Sequence, residues 1–274
     1  MKFGISTFIT DRSIRPASLG RAIEERGFDS LFIAEHSHIP VDRRSPYPGG
    51  GDLPDIYYRT LDPFVALSAV ATVTERLLVG TGIALVAQRD PIHTAKGIAS
   101  LDLISGGRAV FGVGVGWNRE EMANHGTDAA TRGRLVDERL RAIIALWTEE
   151  KAEFHGEFVD FDPVYSWPKP VQRPHPPIYV GGGRGAFPRV ANLGDAWLAN
   201  SVPPETLRPQ IAEVRAAAGR EVPVTVYAVP DAPEGIEEYA ELGVERVLFY
   251  LPSDPEPAAL ARLDRLAEVA ARFR

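Results

Sequence analysis

Apolar residues along the chain follow two rhythms that alternate. Short runs of aliphatic and β-branched residues predict strands at about 2–8, 29–35, 77–86, 108–114, 177–181, 195–199, 223–229 and 245–251. Between most of them, apolar residues three and four apart predict helices at about 16–26, 62–74, 91–105, 133–148, 205–218, 233–242 and 256–273. The clearest unit is 77–118. Leu77 to Val86 reads as a buried strand, and Asp90-Pro91 supplies an N-cap and a proline at the first helical position. Ile92, Ala95, Ala99 and Leu103 keep helical spacing, Gly106-Gly107 closes the helix, and Arg108 to Gly114 forms a second strand. Strand, helix, strand with short joints implies parallel strands.

Eight strands alternating with helices, with no linker between two compositions, predict an α/β fold, one (β/α)8 TIM barrel spanning residues 1–274 as a single domain. A weak echo between AIEERGFDSLFIAE at 22–35 and EYAELGVERVLFYL at 238–251 fits repeated helix–strand units. A doubly wound dinucleotide fold would want G-x-G-x-x-G opening a helix, whereas Gly112, Gly114 and Gly116 are spaced G-x-G-x-G and enter a loop. These glycines leave a strand end without side-chain bulk, where a planar ligand is expected to approach the backbone. Long connections follow strand 2 (36–61) and strand 4 (117–176), at the face where barrel active sites lie. Their Tyr47, Tyr57, Tyr58 and Trp117 suggest a binding lid.

Composition narrows the function. A net charge of −7 gives no basic footprint, so nucleic acid is not expected as a partner. Without cysteine there is no disulfide framework and no thiol catalysis, which suits a cytoplasmic protein. Residues 1–9 hold too short an apolar run for a signal peptide, and no window reaches the roughly 18–20 apolar residues of a membrane span.

Six segments in order carry a resemblance: LVGTGIALVAQRDP, SLDLISGGRAVFGVGVGWN, RLVDERLRAIIALWTE, FHGEFVDF, PKPVQRPHPPIYVGGG and LGDAWL. They resemble the luciferase-like monooxygenase superfamily, most closely its actinobacterial branch of oxidoreductases that use the deazaflavin coenzyme F420. The match runs in register from residue 1 to about 200. It implies a tricyclic ring resting on a bulge in strand 3 with a non-proline cis peptide, here matching Gly82-Ile83. It implies a phosphate arm meeting the loops after strands 4 and 5, here Gly112-Val113-Gly114-Val115-Gly116 and Gly181-Gly182-Gly183-Arg184. Converging backbone N–H groups there would form an anion site, with Arg184 adding a charge-assisted bond; a plain turn beside a solvated arginine is the other reading. Bacterial luciferases carry a phosphate-gripping arginine at the position matching Val115, and its replacement favours the deazaflavin over flavin mononucleotide (FMN). The deazaflavin's anionic tail would leave the mouth near Arg184 and Arg43-Arg44.

Glu35-His36 follows strand 2, where the resemblance implies contact with the ring. Histidine exchanges protons near neutral pH, which makes His36 the leading acid/base candidate. His36-x-His38 also reads as a metal pair of an amidohydrolase-type barrel. That reading needs histidines at the ends of strands 5 and 6, where glycines and Leu198-Ala199-Asn200 stand, so no metal is expected. His93, His125, His155 and His175 read most simply as solvated or capping groups, and Glu120-Glu121 and Arg43-Arg44 as solvated loop charges, with the shaping of a substrate entrance as the other reading of either pair. The expected function is hydride transfer between coenzyme F420 and a small organic substrate. Alternatives are an FMN-dependent monooxygenase and a non-catalytic flavin-binding barrel. The nearly all-apolar helix 62–74 suggests a homodimer contact.

Overall fold

The computed structural model describes residues 1–230 and 233–273. In chain order the elements are β1 (Lys2–Thr7), α1 (Pro16–Glu25), β2 (Ser30–Ile33), α2 (Pro63–Ala71), β3 (Leu78–Thr81), β4 (Ala84–Leu85), α3 (Pro91–Ser105), β5 (Ala109–Gly114), α4 (Arg119–Asn124), α5 (Arg132–Thr148), β6 (Ala152–His155), β7 (Asp160–Val164), β8 (Ile178–Gly181), α6 (Phe187–Leu193), β9 (Ala196–Asn200), α7 (Pro204–Ala218), β10 (Val224–Val229), α8 (Pro233–Glu241), β11 (Arg246–Tyr250) and α9 (Glu256–Ala271). Eight parallel strands close a (β/α)8 barrel in the order β1-β2-β3-β5-β8-β9-β10-β11. Ile5 of β1 lies opposite Leu31 on one side and Phe249 on the other, and Val79 opposite Ala109 closes the ring.

Strand residues alternate between two cores, as the pleat requires. Leu31, Ile33, Phe111, Val180, Trp197 and Phe249 join the cluster that includes the helices' buried faces. Phe32, Val110, Tyr179, Leu198 and Leu248 form a second cluster. The chemistry of the helix ends follows the sequence. The Asp90 carboxylate accepts from the His93 N–H, and Gly106 ends α3 in the left-handed conformation at φ 68°.

Three features depart from the expected elements. The third barrel strand is in two pieces, β3 and β4, broken at Gly82–Ile83, whose peptide is cis. Strand 2 ends at Ile33, so Glu35 and His36 lie just beyond it. The connection after β5 carries α4 and an antiparallel hairpin, β6 with β7, besides the expected helix. Asp102, buried in α3, anchors the far end of that connection by accepting from the N–H groups of Val171 (2.7 Å) and Gln172 (3.0 Å). No helix among the described residues is long and apolar enough to cross a membrane.

Candidate functional site

The break in the third strand sits among glycines, and the contacts show what each glycine accommodates. A Cβ at Gly112 would stand 1.8 Å from the Thr81 carbonyl oxygen. At Gly114 it would meet Ile83 Cδ1 at 2.3 Å, and at Gly181 Ile83 Cγ2 at 2.8 Å. These glycines therefore make room for the broken strand and the Ile83 side chain. Gly183 differs, because nothing stands within 4 Å of its Cβ position. Gly182, at φ 123°, is held by its carbonyl, which accepts from Trp197 Nε1 at 2.7 Å.

Glu35 and His36 share a location and differ in role. Both are buried. The Glu35 carboxylate accepts from the Leu85 N–H at 2.7 Å and from Arg89 Nε at 2.6 Å, while Arg89 also reaches Asp62. Glu35 thus braces β2 against β4, with both oxygens engaged. His36 lies against Glu121, its Nδ1 2.7 Å from Oε2. The other Glu121 oxygen accepts from the Ser37 N–H at 3.0 Å and Ser37 Oγ at 3.3 Å. Burial would raise the pKa of Glu121, but the His36 and Ser37 hydrogen bonds outweigh it and hold the carboxyl below its ordinary value. An ionised Glu121 only accepts, so His36 carries its proton on Nδ1 and turns Nε2 away from the pair.

Glu121 is the residue that sequence reasoning missed. Read as a solvated loop charge, it is fully buried, with 0% of its surface exposed. Asn118 caps α4 by accepting from the Glu121 N–H, which aims this side chain inward. An acidic residue in the first turn after Asn118 was the available signal; its partner 85 positions away was not. Glu120, its neighbour, accepts from the Ser45 N–H at 3.2 Å.

Aromatic rings enclose His36. Tyr57 stands 5.0 Å from it and Trp117 5.7 Å, ring centre to centre, with Tyr47 5.3 Å from Tyr57. Tyr57 and Tyr47 come from the first long connection and Trp117 from the second. Burial is the chief cause that raises the Tyr57 phenol, keeping it protonated. Between these connections lies a cleft of about 1080 Å³, with Tyr47, Trp117, Arg44, Arg119 and Arg132 in its walls. Beneath the rings, Tyr227 packs an edge on Gly82, and its buried hydroxyl has no hydrogen-bond partner among the described residues. A register break in β10 and Ala228 at φ 58° adjoin it.

Elsewhere the expected residues separate. Arg184 is held by Glu213 through bonds of 2.5 and 3.0 Å, so its charge is already met. Val115 packs on the main core. Of the metal pair, His36 Nδ1 faces Glu121, His38 Nδ1 faces Ser37 Oγ at 2.9 Å, and His38 Nε2 faces the Asn124 amide at 2.9 Å. Among the described residues no group of His, Cys, Asp and Glu could hold a metal ion.

A family model described as luciferase-like monooxygenase matches residues 1–272. An uncharacterized Mycobacterium tuberculosis protein is 42% identical over 276 residues, covering 97% of this chain and 98% of its own. The FMNH2-dependent dimethylsulfone monooxygenase of Pseudomonas putida is 32% identical over 195 residues, covering 69% of this chain and 53% of its own. The F420-dependent glucose-6-phosphate dehydrogenase of Kineococcus radiotolerans is 31% identical over 208 residues, covering 72% and 57%. In fold, the monooxygenase RslO1 of Streptomyces bottropensis is similar at a TM-score of 0.78 and 21% identity, covering 100% of this chain and 99% of its own.

Proposed function

The chain belongs to the luciferase-like monooxygenase family, a family with F420- and FMN-dependent members, and from that premise we propose that it transfers hydride between coenzyme F420 and a small organic substrate, with His36 as the acid/base. The observation that carries this reading is the buried His36–Glu121 pair at the end of β2, held at 2.7 Å beside the strand break. A solvated histidine needs no such support. A histidine oriented through one nitrogen presents the other to a reacting group.

The residues fit a flavin-type ring. The strand break offers backbone backed by Ile83, and Tyr227, whose ring edge packs on Gly82, carries a buried hydroxyl without a partner among the described residues, a donor that a ring or substrate oxygen would satisfy. Ile83 would support the ring, Gly182 and Gly183 would receive the phosphate arm through backbone N–H groups, and Glu35 would brace the site from behind. When bound, the deazaflavin supplies the hydride donor or acceptor. The chain's own residues do the rest. Glu121 fixes the His36 tautomer, His36 Nε2 gives a proton to the substrate oxygen or takes one from it, and Tyr47, Tyr57 and Trp117 exclude water.

Val115 favours the deazaflavin over FMN, because an apolar residue packed on the core cannot grip a flavin phosphate. Calorimetric titration of both cofactors tests the choice. Coenzyme F420 is expected to bind with micromolar affinity and to weaken with salt, since its tail is exposed, and FMN to bind about tenfold more poorly, which is ~1.4 kcal/mol. FMN as the tighter ligand would replace this reading with the monooxygenase.

A further inference from the structure

Carboxylates outnumber cations in this chain, with Asp and Glu at 37 against Lys and Arg at 30. Around the barrel mouth the arginines are accordingly paired. Arg89 meets Glu35 and Asp62, Arg59 meets Asp11 and Asp55, and Arg184 meets Glu213. The cleft between the two long connections reverses this pattern. Arg119 and Arg132 make no ion pair among the described residues, and Arg44, 83% exposed, approaches Glu120 only to 4.0 Å. Arg132 uses one terminal nitrogen on the Ala129 carbonyl, while its Nε is buried without a partner.

The two acids lining the cleft, Glu120 and Asp128, offset only part of the charge of its three arginines, and each also accepts from backbone. Glu120 accepts from the Ser45 N–H, and Asp128 accepts from the Ala130 N–H at 2.8 Å. The backbone that carries these cations is also tied together. Buried Ser45 accepts the Arg119 N–H on its hydroxyl at 3.1 Å and the Arg43 guanidinium on its carbonyl. That ties the first connection to the start of α4. Arg43 in turn lies over the Trp117 ring at 5.6 Å. Trp117 is therefore a shared wall, with His36 5.7 Å from it, ring centre to centre, and the arginine-lined cleft beyond.

We infer that this cleft receives the anionic end of the substrate, a carboxylate or phosphate on a ring-bearing body that packs on Trp117. A guanidinium fork matches either anion with paired, charge-assisted hydrogen bonds. The Ser45 contacts fix the backbone of these walls, so the ordering left for binding is that of the arginine side chains. The placement of the reacting carbon near His36 rests on the proposed function; the anion site itself does not. The other source of the same chemistry is the anionic arm of the cofactor.

The test uses the unloaded full-length protein with naphthoate as probe and naphthylmethanol as its neutral counterpart. Naphthoate is expected to bind about tenfold or more tightly than the alcohol, as charge-assisted bonds require. The Arg119→Ala/Arg132→Ala variant should lose that difference while keeping its affinity for the alcohol. Equal binding of acid and alcohol by the wild type would overturn the proposal. As a measurement free of any folding defect, raising salt should weaken naphthoate binding to the wild type and leave the alcohol unchanged; an acid indifferent to salt also overturns it. Finally, deazaflavin with its phosphate arm is compared with deazaflavin truncated before the phosphate. If the arginine variant loses affinity only for the armed form, the cleft belongs to the cofactor and the substrate assignment falls.

Discussion

Glu121→Gln is the sharpest probe of the site, because it keeps the shape of the side chain and removes its charge. The carboxylate accepts from His36 Nδ1 at 2.7 Å, from the Ser37 N–H at 3.0 Å and from Ser37 Oγ at 3.3 Å. Hydrogen bonds to a charged group are worth roughly 1.5–3 kcal/mol and neutral ones roughly 0.5–1.5. Downgrading the two shorter bonds therefore costs about 2 kcal/mol. At roughly 2–4 °C per kcal/mol for a chain of this size, the melting temperature should fall by about 4–8 °C at neutral pH. The pH dependence follows from the lowered Glu121 pKa. A carboxyl with its folded pKa below the unfolded value stabilises fully above the unfolded value, and that contribution fades as pH falls through the folded one. The gap between wild type and variant should be widest at neutral pH and close in acid, below about pH 4. Urea unfolding followed by circular dichroism across this range measures it. A gap under about 0.5 kcal/mol at neutral pH, the scatter of ordinary surface substitutions, or one that stays constant into acid, refutes the ionised, hydrogen-bonded Glu121.

His36→Ala should lower turnover by roughly 10²–10⁴-fold with cofactor affinity little changed, and an equal loss of cofactor binding in calorimetry would assign His36 to ring positioning instead. Gly183→Ala places a methyl group in open space, so it should leave the melting temperature unaltered and weaken cofactor binding; unchanged affinity would move the phosphate arm elsewhere. Val65, an apolar residue on the outer face of α2, is 69% exposed. A homodimer closing over this face should scatter light as a dimer at micromolar concentration and shift toward monomer on Val65→Asp, and a monomeric wild type would reject it.

Legibility tracked the range of the interactions. The ends of α3 were readable because Asp90, Pro91 and Gly106 act on backbone within one turn of themselves. Barrel strands were readable because each is apolar enough to be buried on both faces. His36 was findable as a residue type at a strand end, but its orientation was not. Its partner belongs to a helix 85 positions away, and adjacent Glu120 and Glu121 look alike in sequence although Asn118 turns only one of them inward. The glycines' part in packing was not readable, since a missing Cβ serves a ligand and a neighbouring carbonyl equally well on paper, and the 1.8 Å approach at Gly112 is a contact between strands. The β6–β7 hairpin escaped because only Ala152 of Ala152–His155 and Asp160–Val164 is buried, which removes the alternation that marks a strand.

Ile83 fits into the space left by Gly114 and Gly181, and Gly112 yields to the carbonyl just before the break. Four positions on three strands are thereby bound into one evolutionary unit. A methyl group gained at Gly114 or Gly181 is harmful while isoleucine stands at 83 and tolerable once a smaller residue has replaced it, so the order in which substitutions arrive decides which are accessible. Position 112 has no such escape, because its obstacle is backbone that no substitution can trim. Descendants of this sequence can therefore reshape the support at 83 only along paths in which the side chain shrinks before its neighbours grow.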